Sequence, residues 1–196
     1  MRTLERVIIT MLMIMSFLVK GQDRDTIIKQ IRVEYRRIQA SKSTYIKKVF
    51  DKSNELYAQN DSTDEAIRKK IISIFFDNEK IVLIEIYELF DMMWISETNT
   101  EYYFKDDTIF FIYNKMTIKD WEGFENLEDR NTKVIEQRFY LYKERCIKYL
   151  EKKVEGKLSE IENIEKKAPN IEKNCSEEVY NIKSYIDEVK IIIKEL

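Results

Sequence analysis

The sequence predicts an α+β fold, with one helix at the start, an antiparallel meander of about six strands, and a helical segment at the end. Three observations carry this expectation. Three segments share one layout, a β-branched or aromatic run, four polar residues and a second such run, which is the pattern of a hairpin with a two-residue loop. Isoleucine and valine recur at helical spacing near both ends of the chain. Only 3 glycines and 1 proline occur, which argues against Gly-rich phosphate loops and long flexible linkers. With 196 residues, 44% of them hydrophobic and 36% charged, the chain has the composition of one globular domain.

The N-terminus reads as a secretory signal peptide over residues 1–21. Arg2 and Arg6 precede an unbroken apolar run, VIITMLMIMSFLV at 7–19, and Val19 and Gly21 occupy the small-residue positions before a cleavage site that leaves Gln22 first. The run is short of the ~20 apolar residues that span a bilayer, so no stable membrane span is expected after cleavage. Residues 22–152 then form the helix-plus-sheet domain, and 153–196 its C-terminal helices.

The first helix covers 25–39. Asp25 is placed to cap it, and Ile27, Ile28, Ile31, Tyr35 and Ile38 line one side. Arg32, Arg36 and Arg37 fall on other faces, either as an interaction surface or as an ordinary solvated flank. Periodicity weakens over 40–50, and NDSTD at 60–64 signals a loop. The hairpins follow at 71–89, 101–116 and 136–150, with loop centres Asn78-Glu79, Asp106-Asp107 and Lys143-Glu144. Asn and Asp tolerate the positive φ of such loops, whereas Lys143-Glu144 suits it less and predicts a longer third turn.

Two-residue loops fix register. Phe104 then faces Ile109, Tyr103 faces Phe110 and Tyr102 faces Phe111. One face of this hairpin carries Tyr102, Phe104, Ile109, Phe111 and Tyr113. In the third hairpin Phe139, Leu141, Cys146 and Leu150 share a face, with Tyr140, Ile147, Tyr149 and Arg138 on the other. Neither face is free of apolar residues, so both need cover or one is an aromatic surface for a partner.

Cover comes from a helix at 154–167, ended by Pro169, and a second at 176–196, where Val179, Ile182, Ile186, Val189, Ile193 and Leu196 are spaced 3, 4, 3, 4, 3. These helices are expected on one sheet face. The last stripe also allows self-association, although it is shorter than the three or four heptads of a coiled coil. Two connecting segments stand outside the scaffold: Asp91-Met92-Met93-Trp94, and KDWEGFENLEDRN at 119–131, which sets Trp121 and Phe124 among five acids as an adhesive tip or an edge cap.

Chemistry is constrained by what is missing. No histidine occurs, which removes the commonest general base and metal ligand. No C-x-x-C pair, dinucleotide or phosphate loop, nucleophile elbow or EF-hand loop is present, so no cofactor and no metal is expected. Loss of residues 1–21 removes Arg2, Arg6, Lys20 and Glu5, leaving 31 basic and 35 acidic residues. That balance argues against nucleic acid. Glu85, Glu88, Glu97, Glu101 and Glu136 on or near strands keep carboxylate-only hydrolysis formally open. Cys146 and Cys175 either pair in an oxidising compartment, closing a loop of about 29 residues for about 3 kcal/mol, or remain separate thiols.

The run Tyr102-Tyr103-Phe104-Lys105-Asp106-Asp107 before Ile109-Phe110-Phe111, the helix wording Ile31-Arg32-Val33-Glu34-Tyr35 and the strand Glu136-Gln137-Arg138-Phe139-Tyr140-Leu141 with Ile147 next resemble a group of exported antiparallel-β proteins of Bacteroidota-type bacteria. The resemblance covers residues 1–150 and implies export and architecture, not an activity. Asp107 departs from the glycine the group tends to have there.

The expected function is an exported, non-catalytic binding or interaction module, periplasmic or secreted, whose partner is a protein or envelope component. Candidate contacts are Tyr103, Phe110, Tyr140 and Tyr149 on the sheet and Trp121 and Phe124 on the loop. Alternatives are a small periplasmic carrier or inhibitor with an apolar ligand cavity, or a carboxylate-based hydrolase.

Overall fold

A computed structural model describes residues 24–53, 67–91, 94–120 and 130–195. The expected signal segment, the expected loop at 60–64, Met92-Met93, Trp121, Phe124 and Leu196 lie outside the described residues. Helix α1 (Arg24–Ser41) leads into eight strands, β1 (Ile46–Asp51), β2 (Ile67–Asp77), β3 (Lys80–Asp91), β4 (Trp94–Lys105), β5 (Thr108–Asp120), β6 (Asn131–Tyr142), β7 (Arg145–Lys157) and β8 (Ile171–Lys173). Helix α2 (Leu158–Lys167) lies between β7 and β8, and α3 (Val179–Lys194) closes the chain. The strands form one sheet in sequence order with every neighbouring pair antiparallel.

Among the described residues the strand count is therefore eight, not about six. The two additional strands are weak as sequence signals. β1 is an edge strand that leaves Ile46 and Val49 exposed, so no buried alternation marks it, and β8 has only three residues.

All three hairpins turn where the sequence places them. Asn78 and Glu79, Asp106 and Asp107, and Lys143 and Glu144 all have positive φ, between 48° and 70°, the backbone of a two-residue type I′ turn, which matches strand twist. The third turn is no longer than the others, despite its residues.

Each hairpin also carries a β-bulge at the same distance past its turn, which the expected register lacks. Phe75 pairs with Leu83 but Phe76 with Ile81; Tyr103 pairs with Phe111 but Phe104 with Ile109; Tyr140 pairs with Lys148 but Leu141 with Cys146. Val82, Phe110 and Ile147 are the extra residues. A bulge inserts one residue and so reverses the faces beyond it. Tyr103 thus faces Phe111, not Phe110, and Tyr102 faces Ile112. Phe111 and Tyr113 move to the face of Tyr103, while Tyr149 joins Phe139 and Leu150 joins Tyr140.

Both sheet faces are covered, where helices on a single face are expected. On one, Ile27, Ile28, Ile31 and Ile38 of α1 pack over Phe75, Val82, Leu83, Tyr103, Phe111 and Tyr140, with Phe110 and Ile147 at the margin. The bulged residues enrich this face with apolar surface. Arg24 Nε donates to the carbonyl of bulged Ile147 at 2.8 Å, and its guanidinium pairs with Glu172 of β8, which anchors the start of the helix. On the opposite face Ile182, Ile186 and Val189 of α3 pack over Ile74, Ile84, Tyr102, Ile112, Phe139 and Tyr149. Each such buried side chain contributes about 1.5–3 kcal/mol.

The C-terminal region departs from expectation in two places. Residues 154–157 continue strand β7, with Val154 opposite Val134, so the helix starts only at Leu158. In α3, Val179 is 60% and Ile193 38% exposed, and Tyr185 and Ile192 join the contact instead. The middle of the expected seam is taken up by the chain's own sheet. Cys146 and Cys175 form a disulfide, with Cα atoms 5.8 Å apart, which ties the entry of α3 to β7.

Candidate functional site

Helix α1 covers one end of its sheet face, and α2 covers the other end of β6 and β7 through Ile161 over Val134 and Val154. Between them the sheet presents polar residues: Glu136 and Arg138 share the face of Tyr140 by alternation along β6, and the bulges bring Tyr113 and Lys152 onto it. Tyr113 lies opposite Arg138, and Glu136 lies between Lys115 and Lys152 on the neighbouring strands.

Glu136 is fully engaged. It is 5% exposed, accepts from Tyr113 Oη at 2.8 Å, and pairs with Arg138 and Lys152, each at 3.2 Å. Burial opposes its ionisation, but hydrogen bonds from Tyr113 and Lys152 and the Lys152 charge outweigh that and hold the carboxyl below its ordinary range. Lys115 is held by Glu165 of α2 at 2.5 Å.

Glu101 on β4 is the opposite case. It sits between Glu85 and Tyr113 on the adjacent strands and among the described residues receives only neutral donors: Tyr103 Oη, Gln39 Nε2 at 3.5 Å and Asn99 Nδ2 at 3.4 Å. Lys42 lowers it through space but is itself paired with Glu85. Burial raises the Glu101 carboxyl above its ordinary value, the Tyr103 hydrogen bond partly offsets this, and Glu85 adds repulsion.

Beside Glu101 a pocket of about 480 Å³ opens between α1 and the sheet, lined by Arg32, Tyr35, Arg36, Gln39, Glu101, Phe111, Tyr113, Arg138 and Tyr140 among others. Its volume falls within the ~300–1,000 Å³ of small-molecule sites. Arg32 rests over the ring of Tyr140, 5.7 Å from its centre. Neither Arg32 nor Arg36 has an anionic partner among the described residues. Arg37, the third member of the basic cluster, pairs with Glu34 at 2.9 Å and Asp77 at 3.7 Å and does not line the pocket. A larger pocket of about 610 Å³ lies at the sheet edge by α3 and is also lined by Lys183 and Asp187; there Lys70 pairs with Glu188 at 2.8 Å and Lys52 with Glu195 at 3.5 Å. The α1 pocket sets two guanidiniums and a carboxyl, none in an ion pair among the described residues, on different walls of one cavity.

The expected contact residues are not gathered on a free surface. Tyr103 is 0% and Tyr140 5% exposed under α1, with Phe110 half-buried on the same face. Tyr149 is on the other face, stacked on Phe139 at 4.7 Å, with its hydroxyl donating to Glu151 and accepting from Gln137, each at 2.9 Å. Trp121 and Phe124 fall outside the described residues. Of the described members of the expected set, only Tyr140 lines the pocket. Its other polar walls, Tyr35, Gln39, Glu101, Tyr113 and Arg138, lie on four elements, and the arginines at 32 and 36 are the one local signal that points to it.

No protein-family model matches the chain, and no curated protein and no solved structure matches it.

Proposed function

We propose that the chain is an exported, non-catalytic binding module whose ligand occupies the pocket between α1 and the sheet. The observation that carries this reading is the pair of guanidiniums without an anionic partner among the described residues, Arg32 and Arg36, lining the same pocket as Glu101, a half-buried carboxyl in no direct ion pair there. Charge left uncommitted at a concave site is available to a ligand, whereas charge paired within the protein is not. The signal-like N-terminus supports export, and so does the Cys146–Cys175 disulfide, a bond that persists in oxidising compartments.

Carboxylate hydrolysis is the weaker reading. It needs two carboxyl groups flanking one scissile bond, and Glu136 is bound by Tyr113, Arg138 and Lys152 and does not line the pocket. An apolar carrier is also less supported, because fully buried side chains such as Tyr102, Phe139, Ile74 and Leu83 fill the layers between sheet and helices.

The binding claim is tested by calorimetry on the disulfide-intact chain from Gln22 onward, using a panel of small anions and zwitterions. The Arg32→Ala, Arg36→Ala double variant is expected to lose about tenfold or more in affinity with stability changed by no more than ~0.5 kcal/mol per site, as for exposed positions. Retention of full affinity by this variant removes the pocket from consideration.

A further inference from the structure

We infer that the ligand of this pocket is a small zwitterion, an amino acid or the free end of a short peptide, with its carboxylate on Arg32 and Arg36 and its ammonium on Glu101. This rests on the reading of the pocket as a binding site and adds the ligand's charge pattern. A guanidinium offers a planar fork of donors suited to a carboxylate, and both uncommitted forks belong to adjacent turns of α1. The carboxyl of Glu101 comes from the sheet side of the same cavity. The two poles are therefore presented by different walls, and a ligand of one charge sign satisfies only one of them.

The groups between the poles fit the same ligand. Half-buried Tyr35 and Tyr113 supply aromatic surface for a hydrocarbon side chain, over a floor of buried Phe111 and Tyr140, and Gln39, whose Nε2 donates to Tyr103 and Glu101, offers its carbonyl oxygen to a peptide N–H. Arg138 lines the pocket but is bound to Glu136 and lies over the Tyr113 ring at 5.8 Å, so it adds positive potential without a free fork.

The charged and titratable groups around Glu101 are Glu85 from β3, Tyr103 on its own strand, Tyr113 from β5, Arg138 from β6, Tyr35 from α1 and Lys42 after it. None of the cations pairs with it directly. An ammonium seated there supplies the missing counter-charge and draws off the carboxyl proton, so affinity rises with pH through the titration of Glu101 and then levels.

Calorimetry with trialanine, N-acetyl-trialanine, trialanine amide, free alanine and galacturonate separates the possibilities. Trialanine or alanine is expected to bind, which distinguishes a peptide end from a free amino acid. Blocking the amine or the carboxylate is each expected to weaken binding by about tenfold or more. In Glu101→Gln the acetylated and free peptides should bind alike, and in Arg32→Gln, Arg36→Gln the amide and the acid should bind alike. If galacturonate binds and the peptides do not, the pocket reading survives and the zwitterion is wrong. Equal affinity for acetylated and free trialanine in the native chain also overturns it. Absence of binding by every probe overturns both.

Discussion

Two glutamates on one sheet face show how neighbouring groups set opposite responses to pH. Folding raises Glu101 because burial takes its carboxyl from water and its hydrogen-bond partners carry no charge, with Glu85 close by. Its protonated form is favoured in the folded state, so the stability it contributes is present below its ordinary value of 4.5 and is lost as pH rises through the raised value. Glu136 is lowered, so its contribution is present above 4.5 and is lost as pH falls through the lower value. In urea melts from about pH 4 to about pH 8, Glu101→Gln is expected to gain relative to the native chain as pH rises. A difference independent of pH would mean that Glu101 folds with an unaltered carboxyl. Neither environment could be read along the chain. Both glutamates look like any strand acid until cross-strand neighbours are known, and those neighbours depend on the bulges.

At the scale of elements, turns were legible and bulges were not. Asp106-Asp107 and its counterparts sit between two β-type runs, and polar residues at that spacing determine where the chain reverses. Their conformations still carry a cost, since Glu144 has φ 59° and Glu79 has φ 70°, a region that favours glycine. Glu144→Gly is expected to raise stability by about 0.5–1 kcal/mol, seen as a higher urea midpoint with unchanged slope. A lower midpoint would show that the Glu144 contact to Lys190 of α3, at 3.2 Å, outweighs the backbone strain. The bulges at Val82, Phe110 and Ile147 have no residue signature. They arise from how a strongly twisted hairpin keeps both strands bonded, and they explain why Phe111 and Tyr149 change faces. The helices were legible in their buried stripes, yet residues 154–157 went to the strand because Val134 across β6 offers Val154 a cross-strand partner.

The molecule as a whole is a sheet held between α1 and α3, with each helix burying a face that alternation alone left ambiguous. The Cys146–Cys175 bond joins α3 to β7 over a separation of 29 residues. Replacing both cysteines by alanine is expected to lower stability by about 2–4 kcal/mol, and hydrogen exchange should show α3 losing protection before α1. Equal protection loss in the two helices would indicate that α3 is held by Ile182, Ile186 and Val189 alone. The pocket also belongs to this scale. It exists because α1 and α2 cover separate parts of one face and leave polar sheet exposed between them.

Short-range chemistry along the chain specifies the turns, the helical stripes and the signal-like start, since each depends on residues a few positions apart. The count of eight strands, the face each aromatic takes, the cover on both sides and the meeting of Arg32, Arg36 and Glu101 come from packing across the sheet. One inserted residue per hairpin reverses every face beyond it, and no local pattern records that shift.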